Sequence, residues 1–94
     1  MKRAIVVGFV LLSAAVVGAA DFDIDSYCHE VSKEASDRDA AEKACRDRER
    51  NDQQSLDQMA IPDSVAKHCR EIAQGVGGSY QVMRNCVKQE MSNQ

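Results

Sequence analysis

Ninety-four residues with fifteen acidic and twelve basic side chains carry a formal charge of −3. That balance, without a basic patch, argues against nucleic acid and anionic membrane surfaces as partners. With no tryptophan, two tyrosines and two phenylalanines, the chain has few large side chains to bury, and a domain this small needs a stabiliser beyond its apolar core.

After Lys2 and Arg3 the chain runs uncharged from Ala4 to Ala20. A basic start, an apolar centre and a small-residue exit are the pattern of a secretory signal peptide. Gly18 and Ala20 set small side chains just ahead of Asp21, so residues 1–20 are expected to be the signal, cleaved before Asp21. An uncleaved anchor is the weaker reading, because 17 uncharged residues lie at the short end of what spans a bilayer. No stable membrane insertion is expected after cleavage, and no cysteine stands just after the apolar run to take a lipid. Residues 21–94 then carry ten basic and fifteen acidic side chains, a net −5. They are read as a single small helical domain, periplasmic or secreted.

Asp21, Asp23 and Asp25 alternate like the opening of a calcium loop. Ser26 and Ser32 then stand where that loop needs Gly and Glu, so the acids are read as a charged lead-in to a helix. Ile24, Tyr27, Cys28, Val31 and Ala35 follow helical spacing, with Asp25 or Ser26 as the cap. Ser36–Asp39 is a polar break. A second helix is predicted over about 39–59, with Ala41, Ala44, Cys45, Leu56 and Met59 inward.

Within that second helix, Arg46–Ser55 passes ten residues without an apolar side chain. Pairs four apart, Glu42 with Arg46 and Lys43 with Asp47, would support an exposed helix. The stretch is read as a solvated arm beyond the core, with a charged surface for a partner as the alternative. Pro62 fits the first turn of a third helix, followed by acidic Asp63. Val65, Cys69, Ile72 and Val76 make its stripe, and Gly75, Gly77 and Gly78 end it. Ser79 caps a fourth helix presenting Tyr80, Met83, Cys86, Val87 and Met91.

The stabiliser is expected to be disulfides: an even number of cysteines in a small exported chain usually forms a framework. Cys28, Cys45, Cys69 and Cys86 are spaced C-x16-C, x23, C-x16-C. A shift of 41 residues superposes the two pairs and matches Glu30 with Glu71, Val31 with Ile72, Lys43 with Arg84 and Glu49 with Glu90. Two copies of one unit are read, about 24–60 and 61–94. The midpoint of each pair falls in a predicted turn, at the polar break and at the glycines. Residues equidistant from the turn of an antiparallel hairpin lie at one height, within disulfide reach. Of three possible pairings, Cys28–Cys45 and Cys69–Cys86 are therefore predicted, each worth about 3 kcal/mol by chain entropy. The fold class is all-α: two disulfide-stapled antiparallel helical hairpins, four short helices after a cleaved signal peptide.

Val76-Gly77-Gly78-Ser79-Tyr80-Gln81-Val82-Met83, with Cys86-Val87 and Glu90 following, resembles a group of small secreted proteobacterial proteins. These carry one or two copies of a Y-C…G-G-S-Y-Q…C-x3-E unit. Tyr27-Cys28 matches the opening of a first copy, which departs at Ser36-Asp37-Arg38-Asp39, where the unit has Gly-Gly-Ser-Tyr. The resemblance covers most of residues 21–94 and is specific in the second unit only. It implies export and paired cysteines, and no activity or site.

His29 beside Cys28 and His68 beside Cys69 raise a metal site, but the C-x2-C and H-x3-H spacings of structural zinc are missing. Surface histidines next to half-cystines are the simpler reading. A thiol–disulfide enzyme needs a closely spaced reactive pair, and no nucleophile motif or phosphate-cradling loop is present. No enzyme, cofactor, catalytic residue or metal site is expected. The chain reads as a small exported binding or accessory module whose partner is a protein or cell-envelope component, with envelope-stress chaperone or inhibitor among the roles. The alternative is a periplasmic metal-handling protein using the cysteines with His29 and His68, helped by Met59, Met83 and Met91.

Overall fold

The structure is a computed structural model that describes residues 21–93; the predicted signal peptide, 1–20, lies outside the described residues. Four helices follow in chain order: α1 (Ile24–Ser32), α2 (Arg38–Asp57), α3 (Asp63–Gly75) and α4 (Tyr80–Ser92). Among the described residues there is no strand. Helices α1 and α2 form one antiparallel hairpin, α3 and α4 the other, and α2 packs across α4 to join them.

Short polar side chains set three of the four helix starts. Asp23, in extended conformation, accepts the Ser26 amide at 3.0 Å and the Ser26 hydroxyl at 2.9 Å. The cap is therefore Asp23 and not Asp25 or Ser26: a cap carboxylate serves the amide three residues on, and Ser26 is that donor. Asp37 accepts the Ala40 amide in the same way, which starts α2 one residue ahead of its predicted Asp39. Ser79 caps α4 by accepting the Val82 amide. Pro62 precedes α3 and has no side chain to cap with, while Asp63 supplies the negative charge.

The close of α3 needs glycine. The Gly78 amide reaches back to the Ala73 carbonyl at 2.9 Å and the Gly77 amide to Gln74 at 3.1 Å, the paired bonds of a Schellman ending. Gly77 and Gly78 have φ of 101° and 90°, a region that side chains with a Cβ enter at a cost. Ser79 follows at once, so the chain reverses from α3 into α4 in four residues.

Both predicted disulfides are formed, Cys28–Cys45 with Cα atoms 5.6 Å apart and Cys69–Cys86 with 5.5 Å. Such spacing is what facing helices packed about 8–10 Å apart present to each other. Along α3, Ala66 and Ala73 are buried with Cys69 and Val65. This rotates the inward face of α3 from the predicted stripe. Ile72 and Val76 stand 43% and 52% exposed, since the buried row of α3 is Val65, Ala66, Cys69 and Ala73. In α1 the inward partner of Cys28 is Ser32, one turn on, and Val31 is 51% exposed. Ala35 lies beyond the end of α1 and is exposed, and Ala44 faces solvent from α2.

The shared core gathers Leu56, Val65, Cys69, Ala73, Tyr80, Met83 and Val87, with Phe22, Ile24, Met59, Ile61, Val82 and Cys86 packed around them. Most of it is built from the second hairpin. The first contributes Phe22 and Ile24 at its start and Leu56 and Met59 at the far end of α2.

Candidate functional site

Beside the shared apolar core, the contact between the hairpins has a polar part, made by the stretch expected to be a solvated arm. Along α2, Glu49, Asp52, Gln53 and Leu56 fall at i, i+3, i+4 and i+7, one face of a helix. Glu49, Asp52 and Leu56 are buried and Gln53 half-buried, while Arg48, Arg50, Asn51 and Gln54 face out. The apolar count missed this because the periodicity is carried by polar side chains. Their partners lie about thirty residues on.

Glu49 is fully buried. Its carboxylate accepts the Tyr80 amide at 2.6 Å, the Ser79 hydroxyl at 2.8 Å and the Gln81 amide at 3.5 Å. Helix α4 carries no acidic residue in its own first turn. In a capping box the third helical residue supplies a carboxylate that reaches back to the start of its own helix; in α4 that residue is Val82. A carboxylate from another helix fills the role, facing the positive end of the helix dipole. Ser79 is shared, donating its hydroxyl to Glu49 while accepting from Val82.

Two further contacts extend the patch. Arg84 of α4 donates to Asp52 at 3.2 Å and to Ser55 at 3.1 Å. The Tyr80 hydroxyl accepts from Gln53 at 3.2 Å and from the Phe22 amide at 3.0 Å. The Phe22 ring also packs on Tyr80, centroids 4.8 Å apart and tilted by 51°. Burial raises the Tyr80 phenol pKa above the usual tyrosine value, and the nearby Asp21 and Asp57 charges push the same way.

The two histidines sit apart in role, one on each hairpin. His29 pairs with Glu42 across α1 and α2 at 3.0 Å, and His68 lies 3.9 Å from Glu90 across α3 and α4. Both are exposed. The described residues hold no free cysteine and no group of three or more His, Cys, Asp or Glu placed to hold a metal. Met83 is buried in the core, whereas Met59 and Met91 line a shallow apolar groove with Val87 and Lys88. The predicted pairs Glu42–Arg46 and Lys43–Asp47 both form, the first half-buried beside α1 and the second exposed.

What remains open to a partner is a set of aliphatic side chains on stapled helices. Ile72 stands on α3 and Val76 just past its end, and Ile72 lines a second groove with Val82, Asn85, Cys86, Gln89 and Glu90. No described helix is long and apolar enough to cross a membrane. The described chain is thus a pair of disulfide-stapled helical hairpins, a type of scaffold that belongs to an oxidising compartment. Compared with protein-family models, curated proteins and solved structures, it matches none.

Proposed function

We propose that this chain is an exported, non-enzymatic binding module that works in the periplasm or outside the cell. Its partner is a protein bound through the exposed face of α3. The observation that carries the reading is the pair Ile72 and Val76, about half exposed on α3 and at its C-terminal cap, in a hairpin cross-linked through Cys69–Cys86. Exposed aliphatic side chains on a rigid helix suit partner recognition, because little ordering entropy is lost on binding. The signal-like segment and the paired cysteines support export.

The test places a photo-crosslinking residue at Ile72, at Val76 or, as a control, at exposed Gln54 of α2. The full-length gene, leader included, is expressed in the cells that normally make the protein. Adducts of one defined mass at 72 and 76, absent at 54, with the mature chain starting at Asp21, support the reading. Equal or absent adducts at all three positions would sink it.

A further inference from the structure

The four half-cystines differ in access. Cys28 and Cys69 are fully buried and Cys45 is 3% exposed, whereas Cys86 keeps partial exposure and forms part of the wall of the Ile72–Glu90 groove. Thiol–disulfide exchange requires a thiolate to reach one sulfur of the bond, so access decides which disulfide reacts and at which end. We infer that Cys69–Cys86 is a redox-responsive bond, opened at Cys86 by an external dithiol that enters this groove, while Cys28–Cys45 is sealed. Ile72, Val82 and the carboxylate-bearing Glu90 line the groove, so it admits an uncharged or apolar-faced thiol more readily than an anionic one.

The step balances as an ordinary exchange. A thiolate of the dithiol bonds to the Cys86 sulfur, the Cys69–Cys86 bond breaks, and the electron pair leaves on Cys69, which takes up a proton. The second thiol of the reductant then displaces the Cys86 sulfur. The dithiol departs as a disulfide, and Cys69 and Cys86 remain as thiols. Two electrons pass to the protein. Cys69 belongs to the shared core and Cys86 packs against it, so this reaction loosens the α3–α4 hairpin at the point where both hairpins meet. The α1–α2 hairpin keeps its staple.

The experiment exposes the native protein to dithiothreitol at neutral pH for increasing times, quenches with an alkylating agent and maps the labelled peptides. A species labelled at Cys69 and Cys86, with Cys28–Cys45 intact, is expected first, by a rate margin on the order of tenfold. A monothiol of similar size should leave its adduct on Cys86 and not on Cys69. Asn85→Trp, at an exposed position on the groove, should slow the loss of Cys69–Cys86 and leave Cys28–Cys45 unchanged. Loss of both disulfides together would mean that reduction follows global unfolding, and the inference fails. Earlier loss of Cys28–Cys45, an adduct on Cys69, or no effect of Asn85→Trp overturns it equally.

Discussion

The Glu49 carboxylate lies 2.6 Å from the amide of Tyr80, thirty-one residues away, and so closes a helix in the opposite hairpin. No disulfide links the two hairpins. Their connection depends on this carboxylate, on Arg84 with Asp52, and on the core around Leu56. Replacing Glu49 by Ala strands the Ser79 hydroxyl and the Tyr80 amide in a dry site. The expected loss is about 3 kcal/mol. Glu49→Gln keeps an acceptor but drops the charge, for about 1 kcal/mol. Urea titrations of both variants check the order, and an alanine no worse than the glutamine would remove Glu49 from this role.

Tyr80 predicts an alkaline limit. Its phenol pKa is raised in the folded chain, so the folded state favours the neutral form. Stability from this group is complete below the unfolded value near 10. It falls as the pH climbs from there through the folded value. Tyr80→Phe abolishes that alkaline slope and loses about 1 kcal/mol at neutral pH, with the bond from the Phe22 amide. Parallel denaturation curves across the alkaline range would show both effects; equal slopes in the two proteins would refute the first.

At the acid end Asp23 carries the opposite sign. Bonds from the Ser26 amide and hydroxyl hold its carboxyl below the usual 3.8. Its contribution is present above that value and fades as the pH falls through the folded pKa. Asp23→Asn should flatten the acid limb while still capping α1, whereas Asp23→Ala should fray its start, visible as faster amide exchange at Ser26 and Tyr27.

Two glycines in one turn should respond in opposite directions. A Cβ at Gly78 would sit 3.3 Å from the Phe22 ring at a φ of 90°, so Gly78→Ala should cost about 1–2 kcal/mol. At Gly75, in the last turn of α3, a Cβ meets nothing within 4 Å. Gly75→Ala should stabilise by about 0.5 kcal/mol. Melting temperatures moving the same way would contradict this account of the turn.

How much of this was legible in the sequence depended on whether the signal was local. The hairpins and the cysteine pairing were readable because each cysteine midpoint falls on a turn, at Ser36–Asp39 and at Gly77–Gly78. Ser79 was readable as a cap because its donor is three residues on. On the inward faces of α1 and α3, Cys28, Val65 and Cys69 were readable, and Ser32, Ala66 and Ala73 were not. An apolar stripe names candidates for burial, but how the helices pack decides which neighbour of each cysteine turns inward, Ala73 over Ile72 and Ser32 over Val31. The polar face of α2 was furthest from view. Glu49, Asp52 and Gln53 have the spacing of a buried face and the chemistry of an exposed one, and only the amides and arginine of α4 resolve the contradiction.

The pairing of first with second and third with fourth cysteine has a consequence for how the protein is made. A chain entering an oxidising space N-terminus first presents Cys28 and Cys45 before Cys69 appears, and each bond closes within a span that is already complete. An oxidase that joins thiols in order of arrival reaches the native connectivity with no later reshuffling. If the chain is exported as proposed, its biogenesis calls for an oxidant and not for a disulfide isomerase.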